Sequence, residues 1–182
     1  MQKKIVVIIS IFALLVIIPI AIIGGIKYRN YIAEIEAVEL PEIVFRRVVY
    51  NPSNGNSSTR MIDKEGNILF HKGRISDDEL FRLYHEGKLQ EECTVVNSVN
   101  VFKLKKKYRF FSEVVMNPDY SACEPTYICE SLEPKYVWRG YYYDSNCEMQ
   151  YKIIYGFYTV GYEVSDKRGK ELADWITETL YD

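Results

Sequence analysis

"YVWRGYYYDSNCEMQYKIIYGFYTVGYEV", residues 136–164, decides how the chain is built. Tyr and β-branched residues dominate it, and Asp144-Ser145-Asn146 is its turn-forming cluster. Such residues fit a pleated, half-buried surface, so the stretch reads as two antiparallel strands joined by a three-residue connection. Pairing across "DSN" sets Tyr143 opposite Cys147, Tyr141 opposite Met149, Arg139 opposite Tyr151 and Val137 opposite Ile153. One face then carries Val137, Tyr141, Tyr143, Met149, Tyr151 and Ile153, broken by Arg139, and is the core side. The other carries Tyr136, Trp138 and Tyr142 across from Ile154, Lys152 and Glu148. Odd positions are apolar up to Phe157, whereas beyond it Tyr158, Val160, Tyr162 and Val164 are. A slip of one residue reverses every side chain, and a bulge near Gly156 repairs the phase without moving the hairpin.

On the C-terminal side, "SDKRGKELADWITETLYD" (165–182) places Leu172, Trp175, Ile176, Thr179 and Leu180 on one helical face. On the other side, "NPDYSACEPTYICESLEP" (117–134) has three prolines, two cysteines and little periodicity, and reads as a long loop. Before it, Phe102, Leu104, Tyr108 and Phe110 alternate with Lys103, Lys105, Lys107 and Arg109, which favours a strand within 94–115. Lysines along an edge strand block sheet-to-sheet pairing, and that reading is preferred over a basic binding patch.

"SDDELFRLYHEG" (76–87) predicts a helix. Ser76 and Glu79 make a capping box, Leu80, Leu83 and Tyr84 an inward stripe, and Gly87 the stop. "TRMIDKEGNILFHKG" (59–73) predicts a hairpin, with Gly66 suited to positive φ in its turn. "EIVFRRVVY" (42–50) is β-rich, and "NPSNGNSS" (51–58) reads as a loop that contains the glycosylation triplet Asn56-Ser57-Ser58. The elements segregate rather than alternate, so the expected class is α+β: mainly antiparallel strands, one mid-chain helix and a C-terminal helix.

The N-terminal portion has a different composition. Ile5 to Ile26 is 22 residues without a charge. At 1.5 Å per residue such a helix covers about 33 Å, enough for a hydrocarbon core of about 30 Å. A cleaved leader has an apolar centre of only about 7–15 residues and a small-x-small site, so the run reads as a retained anchor in the lipid bilayer. Lys3, Lys4 and the α-amine precede it and Lys27 and Arg29 follow it, which by a narrow margin keeps the N-terminus cytoplasmic and puts the rest outside. The expected organisation is an anchor over 1–26, a helical stalk over 27–40 ending before Pro41, and an extracytoplasmic domain over 41–182.

Four cysteines, Cys93, Cys123, Cys129 and Cys147, lie beyond the anchor. An even count in an exported domain reads as two disulfides of unspecified pairing, and no C-x-x-C is present. The two histidines, His71 and His85, match no metal-ligand spacing. No phosphate loop, G-x-S-x-G or H-E-x-x-H occurs, so no catalytic residue, cofactor or metal site is assigned. A formal charge of −2 argues against nucleic acid as a partner. The candidate binding residues are the stripe Tyr136, Trp138 and Tyr142 with Lys152, because exposed aromatics suit carbohydrate or protein; the competing reading covers that face with the C-terminal helix. The expected function is a binding or structural module of the cell envelope, with an envelope protein or polysaccharide as partner. Two alternatives stand beside it: an envelope hydrolase using Asp119, Glu124 and Glu130, and a cytoplasm-facing protein with reduced cysteines.

Overall fold

The computed structural model describes the backbone of residues 2–51, 56–120, 134–158, 163–164 and 166–181, and side chains over 19–50, 56–120, 136–156 and 166–181. The chain divides into two units, Met1–Val38 and Glu39–Asp182. The first is one continuous helix, α1 (Gln2–Glu36), with Pro19 inside it. It closes as Ala37 N donates to Ala33 O and Val38 N to Ile35 O, so it stops short of the predicted end at residue 40. Among the described residues no helix is long and apolar enough to cross a membrane. Of the run 5–26, the side chains of residues 5–18 lie outside the described residues.

The second unit is α+β. Its strands are β1 (Ile43–Asn51), β2 (Asn56–Asp63), β3 (Asn67–Lys72), β4 (Thr94–Ser98), β5 (Pro134–Tyr143), β6 (Met149–Tyr158) and the two-residue β7 (Glu163–Val164). Its helices are α2 (Asp77–His85), α3 (Leu89–Glu92), α4 (Val101–Phe110) and α5 (Lys167–Tyr181), and a π-helical turn, Phe111–Val115, extends α4. The strands form one sheet in the order β4-β3-β2-β1-β5-β6-β7, with every neighbouring pair antiparallel. Consecutive residues of central β1 point to opposite faces, so Phe45 and Arg46 define two layers. Phe45 meets Tyr108, Phe111 and Trp175 edge-on or tilted at 6.0–6.3 Å, which places α4, the π-turn and α5 on one face. On the other face α2 and α3 bury Leu80, Leu83, Leu89 and Cys93 against Ile43, Met61, Leu69, Tyr141 and Met149.

Local signals made several elements. Ser76 Oγ accepts from Glu79 N at the start of α2, and Gly66 and Gly87 adopt φ of 85° and 68° at the predicted turn and stop. The segment 94–115 departs from expectation. Only Thr94–Ser98 is a strand; Asn100 then caps a helix by accepting from Lys103 N. The period-two pattern was a coincidence: the fully buried set is Leu104, Tyr108, Phe111 and Val115, spaced four, three and four apart as a helix requires, while Phe102 and Phe110 stay half-buried. The lysines therefore do not guard a strand edge. Residue 56 also begins a strand, with Asn51 paired to Asn56, so the triplet Asn56-Ser57-Ser58 opens β2 rather than sitting in a loop. α3 and α4 are helices additional to the single mid-chain one expected.

The β5–β6 hairpin keeps its predicted faces but not its register. Tyr143 pairs with Met149 and Tyr141 with Tyr151, so the connection has five residues, 144–148. Asp144 Oδ1 accepts from Asn146 N at 2.8 Å and Glu148 N at 3.0 Å, and this wider Asx-type turn displaces the pairing by two positions. An even displacement keeps the same residues together on each face, but the face expected to be the core leaves Tyr143 and Tyr151 exposed, while Trp138 on the other is buried. The phase break comes earlier than Gly156: pairing passes from Arg139/Ile153 to Trp138/Tyr155, which leaves Ile154 as the extra residue.

Gly140 lies opposite Phe45, and a Cβ there would fall 2.6 Å from Cζ and 2.7 Å from Cδ2 of Phe111. Gly140→Ala is expected to destabilise the domain by about 1–3 kcal/mol through overpacking, measured as a lower urea midpoint with an unchanged slope.

Candidate functional site

The strongest cluster of chemistry is a buried ionic group between β1, β5 and the first turn of α2. Arg46 is wholly buried on the α2 face. Its Nη1 donates to Asp77 Oδ1 at 2.7 Å and to the Tyr141 hydroxyl at 3.0 Å, and its Nη2 donates to Ile75 O. The Tyr141 hydroxyl donates onward to Asp77 Oδ1 at 3.1 Å, and Arg139 Nη1 lies 3.4 Å from Asp77 Oδ2. Asp77 is the first residue of α2, where the helix dipole also favours a carboxylate. Two guanidiniums thus share one carboxylate, the phenol bridges Arg46 and that carboxylate, and burial pushes the Tyr141 hydroxyl above the usual phenol range. Nothing here has the arrangement of a nucleophile and base; the cluster fixes where α2 sits on the sheet.

What that positioning creates is a cleft. Phe81, Tyr84 and His85 of α2 line it with Tyr143, Cys147, Glu148, Met149 and Gln150 of the β5–β6 hairpin. The Tyr84 hydroxyl hydrogen-bonds with Tyr143 and Glu42, and burial raises its pKa above the ordinary value. Cys147 is exposed at the cleft with φ of 60°, a conformation uncommon for a residue with a Cβ, set by the Asp144 turn that its own N–H joins at 3.1 Å. His85 packs on the Tyr84 ring at 5.3 Å. Among the described residues no hydrogen bond links the Cys147 thiol to the His85 ring, and no group of three or more His, Cys, Asp or Glu is placed to hold a metal ion. His71 on β3 faces Gly73 O at 3.4 Å.

The predicted stripe is divided. Trp138 is buried and its Nε1 donates to Thr177 Oγ1 of α5 at 2.9 Å, so the C-terminal helix covers it. Tyr136 is half-buried with the Arg47 guanidinium 5.2 Å from its ring. Lys152 reaches over the Tyr120 ring at 5.7 Å, and Tyr142 is half-buried and paired to Gln150. In place of an open aromatic surface there is an alternating stack. Arg47 lies 4.7 Å from the Tyr181 ring, and Arg60 lies 4.1 Å from Tyr181 and 5.6 Å from Phe70. Burial holds the Arg47 guanidinium below its usual pKa, and the surrounding rings supply the compensating negative faces. Sequence reasoning passed over Arg46, Arg47 and Asp77 as partners; the available signal was two arginines inside an apolar strand, since a buried guanidinium requires a partner.

Two of the four cysteines expected to form disulfides, Cys93 and Cys147, lie among the described residues. Cys93 is a buried free thiol under α2 and α3, and Cys147 an exposed free thiol in the hairpin turn. Cys123, Cys129 and the loop carboxylates Glu124 and Glu130 lie outside the described residues, while Asp119 is exposed. No protein-family model, curated protein or solved structure matches the chain.

Burial pushes the Cys93 thiol up to about 11, so at neutral pH it remains protonated and shielded. A thiol reagent at pH 7.5 is expected to modify Cys147 in the folded protein and Cys93 only after denaturation, as read by peptide mass mapping. Asp77→Ala leaves two buried guanidiniums without their carboxylate and is expected to lower stability by about 3 kcal/mol, with partial recovery in the double variant Arg46→Met, Asp77→Leu. Denaturant titrations of the three proteins measure both effects.

Proposed function

We propose that the chain is a single-pass membrane-anchored protein whose α+β domain serves as a binding or structural module of the cell envelope. The observation that carries this reading is the uncharged run Ile5–Ile26 on the unbroken helical backbone of α1, which forms a unit separate from the domain. A helix of that length satisfies its own backbone groups, as a lipid environment demands. Tyr28 and Tyr31, both exposed, stand where interfacial aromatics are favoured. The domain contributes a rigid two-faced sheet and a cleft of aromatic and polar side chains, features that serve recognition of a protein or polysaccharide.

A second reading is favoured by one specific observation. Cys93 and Cys147 are both free thiols, the state usual for a domain that faces the cytoplasm. The two readings share the anchor and differ in the side on which the domain lies.

Alkaline carbonate extraction of membranes that carry the full chain tests the anchor. The chain is expected to stay in the pellet, and Leu14→Arg with Leu15→Arg to shift it to the supernatant, because each charge at a span's centre costs about 2.5–3.5 kcal/mol. Extraction of the unaltered chain would remove the reading. Exposed Cys147 reports the side: labelling by a membrane-impermeant maleimide in intact cells supports the envelope domain, and labelling only after permeabilisation supports the cytoplasmic one.

A further inference from the structure

We propose that β4 is a pairing edge for a second copy of this chain, two copies joining antiparallel through their β4 strands so that one sheet runs across both. Among the described residues β4 ends the sheet: it pairs with β3 on one side and with no strand on the other. All five of its residues are exposed, Val95 at 54% and Val96 at 49%. None of the five residues of β4 is buried, whereas β2 and β3 each bury residues in their interior. The stretch Thr94–Phe102 also holds no charge and no proline, the usual guards of an open edge. The irregularity at Val96, where pairing passes from Asn97/Ile68 to Val95/Leu69, adds twist and leaves the residues on either side able to pair outward.

Charge selects the occupant. Exposed Glu91 and Glu92 lie just before the strand, and exposed Lys103 and Lys106 lie just after it at the start of α4. A two-fold axis through an antiparallel β4–β4 junction sets the acidic end of each copy beside the basic end of the other. A parallel junction would put like charges together. The opposite edge of the sheet is the two-residue β7, so an isologous junction through β4 closes at two copies. The inference is independent of the membrane reading, since it concerns the domain alone.

The test uses the full chain in detergent micelles. Light scattering at micromolar concentration is expected to give a protein mass of two chains for the unaltered protein and one chain for Val96→Lys, with the same far-UV circular dichroism and thermal midpoint. Carbodiimide cross-linking of a mixture of unlabelled and nitrogen-15-labelled chains is expected to join Glu91 or Glu92 of one copy to Lys103 or Lys106 of the other. Lys103→Glu with Lys106→Glu weakens the dimer, and adding Glu91→Lys with Glu92→Lys restores it. A monomeric unaltered chain overturns the proposal. So does a dimer that survives Val96→Lys undiminished, which would assign association to another surface, and so does a monomer that takes an extended foreign peptide on β4 instead.

Discussion

Two adjacent arginines on the central strand organise the domain. Arg46 and Arg47 point to opposite faces of β1, and each must find partners within its own layer because a guanidinium cannot be left bare in an apolar interior. Arg46 takes a carboxylate and a phenol, so α2 is held at one place on its face by directional bonds. Arg47 takes aromatic faces, Tyr136, Trp138 and Tyr181, so α5 is held on the other by a softer contact. The two solutions differ in what they tolerate. A charge-assisted bond fails when a partner moves by an ångström, whereas a cation over a ring keeps much of its attraction across a range of positions.

This division leaves the two faces of the sheet unlike. The α5 face is closed by its aromatic stack and by the Trp138–Thr177 bond, and so is a structural face. The α2 face ends in a cleft whose walls belong to two elements, α2 and the β5–β6 turn, that the Arg46 cluster brings into fixed relation. An exposed thiol and imidazole line that cleft, and among the described residues no hydrogen bond joins them.

Elements whose signals are local were readable from the letters alone. The β2–β3 turn needed a positive φ and Gly66 supplied it; α2 needed a cap and Ser76 supplied it. α4 was misread because the basic residues 103, 105, 107 and 109 fall on every second position, so a strand pattern overlies the helical spacing of Leu104, Tyr108, Phe111 and Val115; the Asn100 cap separates the two. The β5–β6 register was off by two because the Asp144 side chain closes a wider loop than composition suggests, yet the faces survived since the error was even. The Arg46–Asp77 pair spans 31 positions, and no local pattern announces a partner that distant.

The sheet order has a kinetic consequence. β1 to β4 form a meander whose contacts close quickly, but β1 meets β5 along a seam joining residues as far apart as the 95 positions between Arg46 and Tyr141. Closing so large a loop costs entropy before any contact rewards it, which places the domain among slow, non-local folders. The seam is also where Gly140 admits Phe111 and where the ionic cluster sits. Until the late strands arrive, the first four present an unsatisfied guanidinium and a half-open sheet, the state in which a chaperone would meet this polypeptide.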